Sequence, residues 1–201
     1  LTANFELSTY ALSVNAGTGG TATGSGNIPH GNLIAITATP NFGYSFTGWS
    51  GDGITDSSTP TTTVSMTEAR TVTANFALNT YSVNVIIAPN DAGSVNGTGT
   101  YNHGEVVTLS VISNTEDGYN FAYWSGSSLG SANPLTFEIN SDMNLTANFE
   151  LSTYALIVNA GTGGTATGSG NIPHGNLRTI TATPNFGYSF SGWSGDGITD
   201  S

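Results

Sequence analysis

The 201-residue chain contains no cysteine and no lysine, and only 7% of its residues are charged. Without cysteine there is no disulfide framework, no thiolate metal site and no cysteine nucleophile. Without lysine no Lys–Asn isopeptide cross-link can form, so mechanical strength must come from strand pairing and packing. Basic charge is almost missing: Arg70 and Arg178 stand against thirteen acids, for a net charge of −11. That sign argues against nucleic acid and anionic membrane surfaces as partners, because both are held by basic patches. No apolar run is long enough to cross a bilayer and no stretch has the layout of a secretory leader, so no membrane insertion is expected. Glycine, threonine, serine and asparagine supply the polarity instead, a composition that reads as secreted.

Three landmarks set a repeat. LTANF at 1–5 returns as VTANF at 72–76 and again as LTANF at 145–149, the second step slightly longer than the first. Residues 1–57 match 145–201 without gaps and differ at four positions only: Ser13/Ile157, Ile34/Arg178, Ala35/Thr179 and Thr47/Ser191. The middle unit is more divergent and inserts two residues around 114–117, so the array is of the form A–B–A. The expected organisation is residues 1–9 as the last strand of a preceding repeat plus a linker, then repeats at 10–76, 81–149 and 154–201. The third of these is incomplete at its C-terminal end, and four-residue linkers occupy 77–80 and 150–153. Their constant length predicts ordered connections and a rod.

Each unit reads as strands. Tyr10, Leu12, Val14 and Ala16 alternate with polar or small residues, the period of a half-buried strand. Val72, Ala74 and Phe76, then Val64 and Met66, then Ile36 and Ala38 do the same, the last pair matched by Leu109 and Val111. Gly and Asn clusters punctuate these runs every 8–12 residues, and no segment keeps a helical period. The fold class is all-β, a tandem array of ~70-residue domains.

These residues carry a resemblance. The pattern Y.L.VNAG.GG…HG….ITATP..GY.F.GWSGD, closed by TVTANF, resembles the divergent InlB B-repeat family of bacterial surface and secreted proteins. The resemblance implies a small β-grasp-like or β-sandwich-like domain, an extracellular location, and a role as stalk, spacer or adhesive array rather than as an enzyme.

The candidate sites are few. Tyr44, Phe46 and Trp49, with Tyr119, Phe121 and Trp124, and Tyr188, Phe190 and Trp193, are read with Phe76 and Phe149 as the core signature of the repeat. So small a domain needs a few large side chains to bury enough area. The competing reading of the tryptophans is a sugar-stacking platform. Asp52, Asp56, Asp196 and Asp200 are weak calcium candidates in DGITD loops, two carboxylates each where calcium sites take six to eight oxygens. His30, His103 and His174 each precede a glycine, one per unit, and read as turn residues. No Ser–His–acid arrangement is recognisable, and no catalytic residue, cofactor or metal is predicted. The expected function is therefore a non-catalytic structural segment of an extracellular bacterial protein, with an adhesive module recognising glycan or a host surface protein as the alternative. The expected partners are neighbouring repeats, and other copies through donation of the strand at 1–5, from Leu1 to Phe5.

Overall fold

The computed structural model describes residues 1–126, 130–195 and 197. Among them there is no helix. The first repeat has seven strands: β1 (Thr9–Ala16), β2 (Gly20–Thr23), β3 (Gly26–Pro29), β4 (Leu33–Pro40), β5 (Tyr44–Ser50), β6 (Thr61–Ser65) and β7 (Arg70–Leu78). They form a four-stranded sheet in the order β3-β1-β7-β5 and a three-stranded sheet in the order β2-β4-β6.

The first and last strands are neighbours. β1 and β7 run parallel, from Leu12↔Arg70 to Ala16↔Ala74, whereas the other pairings of this repeat are antiparallel. A parallel pair needs a long crossover, usually a helix. Here the crossover is where the three-stranded sheet is made. The alternation visible in the sequence decides which side chains meet: Leu12, Trp49, Val72 and Ala74 from the first sheet close against Ile36, Ala38 and Val64 from the second, with Met66 just beyond β6. Val64, Met66, Val72 and Ile36 lose all contact with water. Burial of each such side chain contributes about 1.5–3 kcal/mol. This two-sheet arrangement is the sandwich-like form of the expected fold.

β5 contains an irregularity that the aromatic signature requires. Phe46 and Trp49 are three residues apart, a spacing that puts side chains on opposite faces of a regular strand. The register of β5 against β7 shifts between Phe46 and Gly48. The bulge adds one residue and returns both rings to the same side, 5.9 Å apart edge to face.

The second repeat repeats the plan with β8 (Thr80–Ala88), β9 (Gly93–Asn96), β10 (Gly99–Asn102), β11 (Val106–Ser113), β12 (Tyr119–Ser125), β13 (Leu135–Glu138) and β14 (Met143–Leu151). Its sheet orders are β10-β8-β14-β12 and β13-β11-β9, and its bulge falls at the same place, between Phe121 and Tyr123. The third repeat has β15 (Thr153–Leu156), β16 (Gly164–Thr167), β17 (Gly170–Pro173) and β18 (Thr181–Pro184), paired as β15–β17 and β16–β18.

Residues 1–8 carry no strand, and Leu1, Phe5 and Leu7 are exposed. The same LTANF sequence at 145–149 lies inside β14, where Phe149 pairs with Phe121 of β12. The segment is a strand where a partner strand flanks it. At the connections, strand structure runs almost without a break: β7 ends at Leu78 and β8 begins at Thr80, and β14 ends at Leu151 and β15 begins at Thr153. By contacts the chain divides into two compact units, Leu1–Asn84 with Thr98–Thr108 and Thr136–Met143, and Val85–Gly97 with Leu109–Leu135 and Asn144–Ser201. The first connection lies wholly in the first unit, and the second connection in the second.

Candidate functional site

In the two complete repeats the aromatic signature is interior. Trp49 is 6% exposed and Trp124 2%. Each indole N–H still finds an acceptor, the carbonyl of Thr59 at 3.1 Å and that of Ala132 at 3.0 Å. The tryptophan thereby ties its own strand to the loop that follows it. Phe46 meets the edge of Phe76 at 6.0 Å, and Phe121 meets Phe149 at 5.8 Å. Tyr44 and Tyr119 are half-buried. Close approach here depends on small residues, since a Cβ on Gly20 would overlap the ring of Phe76.

The third repeat shows the same residues open. Tyr188 is 58% exposed, Phe190 50%, and Trp193 half-buried, although Phe190 and Trp193 keep their edge contact at 5.4 Å. They border a cleft of about 310 Å³, lined also by Gly164, Ala182 and Pro184.

Among the described residues no group of three His, Asp or Glu side chains is placed to hold an ion. Asp56 accepts hydrogen bonds from the Ser58 amide at 2.8 Å and its hydroxyl at 2.6 Å. Those two donors, the hydroxyl first, hold its carboxyl below the usual carboxylate range. Asp52 is exposed in the same loop, and Asp196 and Asp200 lie outside the described residues. Asp142, which the sequence did not single out, is treated alike: the Ser82 amide at 2.7 Å and hydroxyl at 2.9 Å lower its pKa, the amide first.

The three histidines lie in turns, and two of them close the joints between repeats. At the first joint the Asn79 amide donates to the Gly43 carbonyl at 2.8 Å, and the His103 amide donates to the Asn79 carbonyl at 2.8 Å. The imidazole of His103 sits where a side chain on Gly43 would be, so that any Cβ there would overlap the ring. The ring centre of Phe42 lies 4.6 Å from that of the imidazole, edge to face, and that of Tyr81 6.0 Å, and among the described residues its buried Nδ1 has no hydrogen-bond partner. At the second joint the Ser152 amide donates to Gly118, the His174 amide donates to Ser152, both at 2.8 Å, and His174 occupies the space over Gly118. Gly43 and Gly118 are buried; Gly187, their counterpart in the third repeat, is exposed. The joint escaped sequence reasoning because its parts come from two different repeats. The available signal was the recurrence of a His–Gly pair and a Gly–Tyr pair in every unit.

A family model described as the divergent InlB B-repeat domain matches residues 10–80, 83–153 and 154–201. The chain belongs to the divergent InlB B-repeat family. Its three matches coincide with the three structural repeats, and the family is one of repeat domains associated with bacterial surface or extracellular proteins. No curated protein and no solved structure matches the chain.

Proposed function

We propose that the chain is a non-catalytic structural segment of an extracellular bacterial repeat protein, acting as a stalk, fibre or filament body. The observation that carries this reading is the joint. Consecutive B-repeats meet through one residue outside the strands, Asn79 or Ser152, each fixed by two backbone hydrogen bonds and capped by a histidine on a buried glycine. A chain that only tethered binding heads would not need such a connection. The large aromatic rings of the complete repeats are spent on the core, which leaves few of the flat exposed rings that sugar recognition uses.

The adhesive reading makes a different prediction. A ligand that binds the folded repeats at a hundred times its Kd stabilises them by about 2.7 kcal/mol. The test is thermal unfolding of the chain against a panel of surface glycans and matrix proteins. The expected result is an unchanged Tm throughout. A rise that follows the concentration of one glycan or protein replaces the stalk with an adhesive module.

A further inference from the structure

The two joints share their backbone ladder but reverse one side-chain pair. At the first, the Ser45 hydroxyl donates to the Asn79 side-chain carbonyl at 2.6 Å. At the second, the Asn120 amide donates to the Ser152 hydroxyl at 2.6 Å. Serine leaves the first repeat and asparagine enters the second; asparagine then leaves the second and serine enters the third. The remaining positions of the first type follow suit, with Ser8 on the entering side and Ser189 on the departing side.

We infer that this pair, set over the shared His–Gly contact, is a neighbour-selecting interface that mates a repeat of the first type only with one of the second. The reason is reach. The ladder fixes the backbones of the two pairing residues, so the side chains must together span a set gap. One serine and one asparagine fill it in either order. Two serines fall short of so close a contact, and two asparagines carry one group too many. A joint between like repeats would present Ser45-type with Ser8-type side chains, or Asn120-type with Asn79-type, and neither pair fits. The alternating order of the array is thus written in its joints. The face of the first repeat made by Ser8, Tyr10 and His30 has the same make-up, including the Tyr10–His30 edge contact at 5.8 Å and the His30 amide bonded to the Ser8 carbonyl at 2.8 Å. It fits a turn of the kind found at 117–120.

The inference concerns how repeats meet and holds whether the array is a stalk or an adhesin. Its test is a double-mutant cycle in the full chain, read by amide exchange at Asn79 and His103, the two donors of the first ladder. Ser45→Asn and Asn79→Ser are each expected to lower protection of both amides about fivefold, the equivalent of one hydrogen bond of about 1 kcal/mol. Ser45 is exposed and Asn79 half-buried, and far-UV circular dichroism should show all the variants folded. Ser45→Asn with Asn79→Ser recreates the pair of the second joint and is expected to return protection to within about twofold of the starting chain. Equal protection in all four proteins overturns the inference, as does a double variant no better protected than its weaker parent.

Discussion

The first and third repeats are nearly the same sequence in two different states. Where 1–57 matches 145–201, four positions differ, and three of those four are exposed in the first repeat, with Ile34 half-buried. Yet β1 spans eight residues where β15 spans four, β4 spans eight where β18 spans four, and β5 has no counterpart at 188–194. Within these 201 residues the third repeat has no match for residues 58–76, which hold β6 and most of β7. The losses follow the pairing. β15 stops at the equivalent of Leu12, and positions 13–16 pair with β7. β18 keeps the four positions that pair with β2, whereas positions 33–36 pair with β6. β5 pairs with β7 along its whole length. What survives is local: the β15–β17 and β16–β18 registers reproduce β1–β3 and β2–β4, and the Ser169 hydroxyl accepts from the Val158 amide at 2.9 Å as Ser25 does from Val14. Two short, interleaved antiparallel pairs are therefore specified by nearby sequence. The rest of the repeat waits for a strand whose partners lie far along the chain, Arg70 for Leu12 and Ala74 for Ala16.

The largest effect should come from turning the first repeat into the third. Ala74 is fully buried and pairs with Ala16 on one side and Trp49 on the other. Ala74→Pro removes a ladder donor from a central strand and is expected to cost more than about 3 kcal/mol. Amide exchange should show residues 13–16 and 44–50 losing protection while Tyr10, Ile28 and Thr21 keep theirs. Uniform loss across the first repeat would mean that the β1–β3 and β2–β4 pairs are not autonomous. The converse change appends a copy of residues 58–76 after Ser201. Since Trp49 and Trp124 are buried, the acrylamide-accessible part of the tryptophan emission belongs to Trp193. The extension should abolish it and shift the emission to the blue. If Trp193 stays quenchable, the pairing with β6 and β7 is not the cause of the difference.

The same contrast explains how much could be read in advance. β1, β4, β6 and β7 announce themselves by apolar alternation, because each has one face on the core. β2 and β3, GTAT and GNIP, bring only Ala22 and Ile28 to the core, too little to show a period, and become strands through pairing with β4 and β1. β5 is disguised by its own bulge, since Phe46 and Trp49 break the two-residue period that marks a strand. The joints were least legible of all. Ser45 and Asn79 stand far apart in the chain, and only their exchange for Asn120 and Ser152 at the next joint shows that they belong together.

The smallest effect concerns the two tethered carboxylates, one in each complete repeat. Asp56 and Asp142 are both fully exposed, and both are held below the ordinary carboxylate pKa by serine donors. A proton therefore binds the unfolded chain, whose aspartates titrate at about 3.9, more readily than the folded one. The stabilisation is complete above that value and disappears as pH falls through the lower folded-state pKa. Asp56→Asn keeps an oxygen acceptor for Ser58 but removes the charge, so it imitates the protonated residue. At neutral pH the variant should unfold at a slightly lower temperature than the unaltered chain. The two melting curves should converge at an acid pH below the folded-state pKa, where the aspartate of the parent is itself protonated. A gap that persists undiminished at that pH would assign the loss to the geometry of the 55–59 turn rather than to its charge, and would leave Asp142→Asn as the cleaner probe of the same idea in the second repeat.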